Sequence, residues 1–399
     1  MMVILFWLSI GIILYVYAGY PLLVTLLARL RSRERPLPPY TPTLTLLIAA
    51  YNEEAVIAAK LENSLTLDYP ANLRQILVTA DGSSDATPDI VRQFASQGVE
   101  LNYTPQRQGK MAAINRAMPL VRGEIVVFSD ANNLYDTQAL RELVKPFAET
   151  AVAAVSGAKT IVKDGSSLGH SEGLYWRYES FIKKQETRLG NCTGVAGEIL
   201  ALRRSLFETP PDNIINDDFY MAMRLIKRGY RVVYAPKARS YEYVSASAED
   251  EVIRRSRIVA GRYQAMGLVR QLLPWKRPLA AWQMISHKFL RPLVPLAMIM
   301  AILTNILIVS QNRPEIYTIL LGIQIFFYLL AALGQWWKRG GLIGKLLYLP
   351  TFLVGSNWAA LVGLARFLTK RQTTLWQRAK RRPQDTSLAQ AMTEEKRQL

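Results

Sequence analysis

Cysteine, histidine and acidic residues are scarce in this chain of 399 residues. The lone Cys192 excludes an intrachain disulfide and is most simply a small apolar residue. Because His170 and His287 are the only histidines, a mechanism built on a histidine base has little support. No Walker-type or G-x-G-x-x-G glycine run follows a predicted strand, which argues against ATPase and dinucleotide chemistry.

The shortage of acids leaves a large excess of positive charge. Against 31 Asp and Glu stand 49 Lys and Arg, and the net charge of +18 indicates nucleic acid or an anionic membrane surface as a partner. Much of the excess flanks long apolar stretches, as in RLRSRERP (29–36) and TKRQTTLWQRAKRRP (369–383). Basic clusters in such places are typical of proteins that contact anionic lipid. We therefore expect the lipid bilayer as a partner, and no nucleic acid.

Several apolar stretches are long enough to cross a bilayer. Residues 1–30 predict a retained N-terminal transmembrane helix, because the stretch is too long for a signal peptide and no cleavage site follows it. Residues 292–310 and 316–334 predict two further crossings. A fourth stretch, 342–368, carries a lysine, a proline and an asparagine, so it either crosses, re-enters or lies at the interface.

The distribution of charge predicts how these parts are arranged. By the positive-inside rule the basic residues after the first helix place the soluble segment in the cytoplasm. A full crossing by the fourth stretch would leave the basic tail outside, so we expect that stretch to be re-entrant or interfacial. The predicted multi-pass membrane protein has five parts: a helix at 1–30, a soluble domain at 41–265, an amphipathic interfacial segment at 266–290, a membrane region of two or three hydrophobic segments at 291–368, and a basic cytoplasmic tail at 369–399.

Strand-like and helix-like runs alternate in the soluble segment. TLTLLIAA (43–50), QILVTA (75–80), VELNYT (99–104) and EIVVFSD (124–130) are each followed by a run with helical periodicity. This alternation is typical of an α/β fold with a doubly wound, mainly parallel sheet. Ligands of such sheets bind beyond the carboxyl ends of the strands.

The residues that follow these strands are rich in charge. They read AAYNEE, TADGSSD, YTPQRQGK and FSDANN, so three of the four strand ends carry acids and one carries Arg107 and Lys110. Carboxylates beside cations suit a ligand with hydroxyls and phosphates, the phosphates being held by a divalent metal and lysine. Asp and Asn are also ordinary caps and turn formers at strand-to-helix junctions, which is the alternative interpretation of each end alone.

Taken in order, the motifs AAYNEE, DGSSD, GK, SDAN, TGVAGEILALRR and NDDFYMAMRLIKRGYRVVYAP resemble those of the family-2 inverting glycosyltransferases with a GT-A fold. The resemblance covers residues 43 to about 265 together with the membrane layout. It is strongest to the membrane-embedded branch of hyaluronan, chitin, poly-N-acetylglucosamine and cellulose synthases. It implies a GT-A-type sheet inserted between an N-terminal transmembrane helix and a C-terminal transmembrane bundle.

The resemblance also implies a donor site. Tyr51, Glu53 and Asp81 would hold the nucleobase and ribose of a nucleotide-sugar, and Lys110 would lie close to the nucleotide. The D-x-D motif of the family falls on Asp130 and on an amide, Asn132, as ligands of Mg or Mn. An amide oxygen coordinates a hard cation without bringing charge, so we expect weak metal binding without nucleotide and tighter binding with it.

A catalytic base is implied by NDD (216–218), which replaces the T-E-D of the family. Asp218 is the expected general base, with Asp217 beside it as the weaker candidate, because the acceptor hydroxyl must lose its proton as it attacks the anomeric carbon. NDD is also a plausible N-cap cluster of the following helix, and the two roles are compatible. TGVAGEILALRR (193–204) predicts an acceptor-side strand, or else a glycine-softened core strand.

The clearest departure from the family is at its Q-x-x-R-W motif. The nearest match, RRSRI (254–258), keeps Arg257 but has Arg254 for Gln and Ile258 for Trp. On a helix the two arginines share a face and are candidates to meet the leaving diphosphate; a basic interfacial helix on anionic lipid is the alternative. In the synthases the Trp supports the terminal acceptor sugar, so its absence favours transfer of one or a few sugars.

We therefore expect a membrane-bound inverting glycosyltransferase that moves a sugar from a nucleotide-sugar, with a UDP-sugar as the expected donor, to a glycan acceptor in exopolysaccharide or cell-surface glycan synthesis. The first alternative is a glycolipid synthase with a lipid acceptor. A membrane nucleotidyltransferase is an alternative of another class, which would explain the sheet and its acids but not NDD followed by RRSRI.

Overall fold

A computed structural model describes residues 1–31, 36–162, 167–243, 248–311, 314–336 and 341–371. Eight strands form one sheet, and four of them coincide with the strand-like runs of the sequence. The strands are β1 Leu44–Ala50, β2 Arg74–Asp81, β3 Val99–Thr104, β4 Ile125–Asp130, β5 Leu134–Tyr135, β6 Val152–Val162, β7 Leu200–Arg203 and β8 Arg231–Tyr243.

The sheet has the order β3-β2-β1-β4-β7-β6-β8-β5. Its first four strands are all parallel, as are β6 and β8, whereas β7 runs antiparallel to both of its neighbours and β5 antiparallel to β8. The parallel pairing puts the carboxyl ends of β1 to β4 at one edge, where Ala49 of β1 is level with Asp130 of β4. The prediction of an α/β fold with a mainly parallel sheet is confirmed.

Fourteen α-helices are present in the described part of the chain. They are α1 Met2–Leu14, α2 Tyr20–Arg29, α3 Ile57–Leu65, α4 Thr87–Gln93, α5 Lys110–Ala117, α6 Ala139–Val144, α7 Ser167–Leu189, α8 Asp217–Lys227, α9 Ala248–Gly267, α10 Val269–Leu272, α11 Pro278–Met284, α12 Val294–Ser310, α13 Glu315–Trp336 and α14 Gly341–Leu368.

Helices cover both faces of the sheet because successive strand residues point to opposite sides. Leu46 and Ile48 belong to an apolar layer with α3, α4 and α6, while Leu47 between them belongs to a second layer with α5, α8, α10 and α11. The doubly wound arrangement is therefore built into the apolar strands, which are buried on both faces.

Four helical runs in the described residues are long and apolar enough to cross a membrane: Met2–Arg29, Pro278–Ser310, Glu315–Trp336 and Leu346–Leu368. The second run begins inside the predicted interfacial segment 266–290, and the last is part of one continuous helix, α14, that contains Pro350. The topology predicted from the distribution of charge stays a prediction. Residues 372–399 of the predicted tail lie outside the described residues.

Candidate active site

The ends of β1 and β2 are joined directly. Asn52, which has a positive φ of 52°, donates its backbone N–H to Ser83 Oγ (3.1 Å) and accepts the backbone N–H of Ser84 on its side-chain oxygen (2.8 Å). The backbone N–H of Glu53 donates to Thr87 Oγ1 (2.8 Å), and Glu53 itself is buried. The motifs AAYNEE and DGSSD are therefore hydrogen-bonded to each other and form one side of the site.

Asp81 organises the loop between β3 and α5. Its Oδ2 accepts the backbone N–H groups of Gln108 (2.9 Å) and Gly109 (2.6 Å), and Arg116 Nη1 lies 3.4 Å from Oδ1. The loop then passes so close to Gly82 that a Cβ there would lie 2.5 Å from Arg107 Cβ. The guanidinium of Arg107 consequently stacks over the ring of Tyr51, 3.9 Å from its centroid.

Lys110 and Asp130 meet at the centre of the same edge. Lys110 Nζ lies 2.6 Å from Asp130 Oδ1, and both side chains are largely buried. Although burial lowers it, the carboxylates of Asp130 and of Asp217 and Asp218 hold the pKa of Lys110 above its ordinary value. The site is thus compact enough for the ammonium of Lys110 to interact with all three carboxylates.

The residues present fit a divalent metal that is shared with a substrate. Asp130 ends β4 and Asn132 lies in the following turn, so one carboxylate and one amide offer hard oxygen ligands. Nowhere in the described ranges do three or more His, Cys, Asp or Glu side chains form a metal-sized group. Because Mg²⁺ usually takes one or two carboxylates plus substrate phosphates, the set suits a metal that arrives with a diphosphate.

Asp217 and Asp218 open α8, with Asn216 as its N-cap. Asp218 Oδ1 accepts the backbone N–H of Phe219 (2.7 Å), and a Cβ at Gly197 would lie only 3.2 Å from Asp218 Cβ. Burial, and then the neighbouring charge of Asp217, raise the pKa of Asp218 to about 6. Such a carboxylate is ionised at neutral pH yet basic enough to accept a proton.

Helix α9 lies against the N-terminus of α8. Its Gly261 is essential to the packing, because a Cβ there would lie 2.5 Å from Asn216 Cγ, and Asn216 Nδ2 donates to the carbonyl of Ile258 (2.8 Å). Arg257 donates to the carbonyl of Ile215 (3.3 Å). The motifs NDD and RRSRI therefore lie in contact.

The two arginines of RRSRI have different surroundings. Arg257 lines a cleft together with Lys110 and Asp217, and although burial lowers its pKa, it interacts electrostatically with Asp217, Asp130 and Asp218. Arg254 instead forms an ion pair with Glu251, whose Oε1 lies 2.7 Å from Arg254 Nη2. The structure thus brings Arg257 to the three acids, and it ties Arg254 to its own helix.

The predicted acceptor-side strand is shorter than expected. Regular pairing begins at Leu200, so residues 193–199 form a loop and not a strand. Gly194 packs against Lys288, and Gly197 against Asp218, so closely that a Cβ at either position would require its neighbour to shift. Close approach to these two side chains bends the segment out of the sheet.

Two further residues of the site were not predicted from the sequence. Lys60 of α3 is completely buried, and its Nζ donates to the carbonyl (2.8 Å) and to Oδ1 (3.0 Å) of Asn133. Burial lowers the pKa of Lys60 to about 7, and Asp130 opposes part of that shift. The signal was present, because Lys60 shares the apolar helical face of Ile57 and Leu61.

The second such residue is Arg262 of α9. Its guanidinium lies 4.1 Å from the centroid of the Phe219 ring and interacts electrostatically with Asp218. Arg262 follows the Q-x-x-R-W-like segment by one helical turn. Only the packing of α9 on α8 shows that it faces the candidate base.

The model of a family described as glycosyltransferase-like family 2 matches residues 41–261, more than half of the chain. The chain is 28% identical over 228 residues to a beta-monoglucosyldiacylglycerol synthase of Trichormus variabilis, which covers 55% of this chain and 49% of that protein. It is 27% identical over 204 residues to a poly-beta-1,6-N-acetyl-D-glucosamine synthase of Staphylococcus aureus, covering 49% and 48%. The chain thus spans about half the length of these curated relatives.

Among solved structures, a mannosyltransferase of Pyrobaculum calidifontis in complex with GDP-Man and Mn²⁺ has a similar fold. The TM-score is 0.69 at 22% sequence identity, and the match covers 92% of this chain and 99% of the mannosyltransferase. The predicted GT-A-type domain with apolar helices before and after it is confirmed. The chain belongs to glycosyltransferase family 2.

Proposed function

We propose that this enzyme transfers a sugar with inversion from a nucleotide-sugar, with a UDP-sugar as the expected donor, to an acceptor hydroxyl, with Asp218 as the general base. The observation that carries the proposal is the position of Asp218. It lies beside Asp217 at the start of α8, in electrostatic contact with Lys110, whose ammonium is paired with Asp130 at the end of β4. A base and a donor site are thereby brought within one cleft.

In this mechanism the acceptor hydroxyl oxygen attacks the anomeric carbon as the bond from that carbon to the diphosphate oxygen breaks. The hydroxyl proton moves to a carboxylate oxygen of Asp218, and the nucleoside diphosphate leaves with the bonding electrons. Asp217 keeps its neighbour basic by adding negative charge. Lys110 and Arg257, which line the same cleft, stabilise the charge that develops on the leaving diphosphate.

The donor would lie across the carboxyl ends of β1 to β4. Tyr51, Glu53 and Asp81 would hold its nucleoside, although Tyr51 is stacked by Arg107 and Asp81 is engaged by the backbone of the β3 to α5 loop. Donor binding would then reorganise this loop. Asp130 and Asn132 would hold Mg or Mn, which when bound would neutralise the diphosphate.

Two classes of acceptor are candidates. A glycan acceptor suits the similarity to a poly-N-acetylglucosamine synthase, and a lipid acceptor suits the similarity to a glucosyldiacylglycerol synthase. Ile258, at the position of the family's acceptor-binding Trp, favours one or a few transfers over long polymerisation. Glycolipid synthesis is therefore our second candidate, whereas family membership removes the reason for a nucleotidyltransferase.

We propose that the enzyme is a multi-pass membrane protein with its catalytic domain in the cytoplasm, where nucleotide-sugars are made. The four apolar helical runs support membrane attachment. We assign the catalytic domain to the cytoplasmic side because basic residues follow the first helix. Protease accessibility of the catalytic domain in sealed inverted vesicles, but not in right-side-out vesicles, would test this orientation.

The mechanism is tested with Asp218→Asn, which keeps the size of the side chain and removes the base. With labelled UDP-sugars and membrane lipid extract, we expect transfer to be lost while calorimetric binding of UDP is retained. Asp89→Asn, at an exposed acid of α4, is the matched control and should be fully active. Near-normal turnover by Asp218→Asn would exclude Asp218 as the base. Chloroform-soluble label would favour the lipid acceptor, and label in polymer the glycan.

A further inference from the structure

Near the loop of residues 193–197, two buried hydrogen-bond donors have no acceptor in the described part of the chain, and a neighbouring lysine has no carboxylate partner there. Lys183 of α7 is only 3% exposed. Its ammonium lies 5.5 Å from the centroid of the Trp176 ring and 5.3 Å from that of Tyr234. No carboxylate in the described part of the chain pairs with it. Trp176 Nε1 and Arg262 Nη1 are also buried without an acceptor among the described residues.

Two of the cations in this region meet at Gly194. A Cβ at that position would lie 2.8 Å from Lys288 Nζ and 3.2 Å from Lys183 Cε, so both lysine side chains end close to this glycine. The other end of the same loop, Gly197, touches Asp218. Arg262 interacts electrostatically with both Asp218 and Lys288. The cations thus lie one short loop away from the proposed base.

The carboxylates nearest to this region are already engaged. Glu179 is paired with Arg291 and His287 and lies 3.4 Å from Lys288 Nζ. Glu186 accepts from Tyr20 (2.5 Å) and from the backbone of residue 193 (2.8 Å). Lys183 therefore has aromatic rings as neighbours and no counter-ion among the described residues, and an anionic ligand would supply one. Trp176 Nε1 and Arg262 Nη1 are hydrogen-bond donors, and Lys183 and Arg262 are cations. The ligand that complements these groups is an oxyanion.

The position of α7 favours a lipid over a soluble anion. Ile182, next to Lys183, packs with Tyr20, Val24 and Ala28 of the first apolar helical run. Lys288 itself belongs to the second apolar run, Pro278–Ser310. An anion bound between Lys183 and Lys288 would therefore lie where membrane helices join the catalytic domain.

We propose that Lys183, Lys288 and Arg262 form an acceptor-side subsite for the phosphate group of a lipid headgroup. The proposal rests on the proposed transferase function, because it places this phosphate next to the hydroxyl that Asp218 deprotonates. It selects phosphate-bearing lipids over neutral lipids of the same chain length. No covalent step at the phosphate is involved, so the subsite acts by binding alone.

The test is equilibrium binding to the full-length protein in a non-ionic detergent. Fluorescent short-chain phosphatidylglycerol is compared with fluorescent diacylglycerol of the same acyl chains, and unlabelled inorganic phosphate is added in a separate titration. Lys183→Met removes the charge at nearly constant size, and Lys183→Arg retains it. Lys184→Met, at the exposed neighbouring lysine, is the matched control. UDP binding is measured for every variant as a check of folding.

We expect phosphatidylglycerol to bind at least about tenfold more tightly than diacylglycerol, since a charge-assisted contact is worth that factor or more. Lys183→Met should lose this preference, while Lys183→Arg and Lys184→Met keep it and all variants bind UDP equally. Equal binding of the two lipids by the unmodified protein, or equal loss in both methionine variants, would overturn the proposal. Loss of the preference in millimolar phosphate would assign the site to free phosphate and refute the lipid. Because no transfer is measured, an inactive base does not affect the outcome.

Discussion

The charge state of Asp218 gives a sharp prediction for the pH dependence of the reaction. A general base must be ionised, so activity is present above its pKa and is lost as pH falls through it. Burial and the Asp217 charge raise the pKa of Asp218 from 3.8 to about 6. At pH 5 only about a tenth of such carboxylates are ionised, against more than about nine tenths for an unshifted group. We therefore expect kcat/KM to fall about tenfold between pH 7 and pH 5.

The neighbouring carboxylate provides the internal check. Asp217→Asn removes one of the two causes that raise the pKa of Asp218, so the acidic limb should move to lower pH even if the maximal rate falls. Rates are measured with labelled donor at saturating acceptor, and UDP binding at each pH separates a change in affinity from a change in chemistry. A profile flat from pH 7 to pH 5, or a limb that Asp217→Asn leaves in place, would refute the assignment.

Two further predictions concern the surroundings of the base and the metal. Asn132→Asp should strengthen Mn²⁺ binding in the absence of nucleotide, because it adds a charged ligand next to Asp130; calorimetry showing that the unmodified enzyme binds Mn²⁺ equally with and without UDP would contradict this account. Gly197→Ala should lower kcat with little change in UDP binding, since its Cβ would press on Asp218 Cβ at 3.2 Å. Gly267→Ala, where nothing lies within 4 Å, is the control, and equal rates in the two alanine variants would count against tight packing of the base.

Much of the fold was predictable because its signals are local. The apolar strands and the polar residues after them lie in short consecutive stretches, and parallel pairing is enough to bring those residues to one edge. The motif order then indicated the family. What could not be predicted depends on packing between distant segments. Residues 193–199 leave the sheet because they pack against Asp218 and Lys288, which lie about 20 and 90 positions further along the chain.

The burial of Lys60 also depends on packing between distant segments and could not be predicted from the sequence. The helical spacing that places Ile57 and Leu61 on the sheet also places Lys60 there, and a lysine on an apolar face would ordinarily extend to solvent. Asn133 compensates for the burial of Lys60 by offering two acceptors, and Asn133 in turn donates to the carbonyl of Glu198 (2.9 Å). Lys60 thus connects the turn after β4 to the loop that carries Gly197, a connection that no local pattern contains.

The pairing of Lys110 with Asp130 explains why an amide at position 132 is compatible with function. The carboxylate of Asp130, the proposed charged metal ligand of the turn, is paired with the ammonium of Lys110 2.6 Å away. A cation can take that ligand only if Lys110 finds another partner, and the diphosphate of a donor is such a partner. Metal and nucleotide-sugar would then bind together, each removing the obstacle to the other. A second carboxylate at position 132 would weaken this coupling, because the metal would be held before the donor arrived.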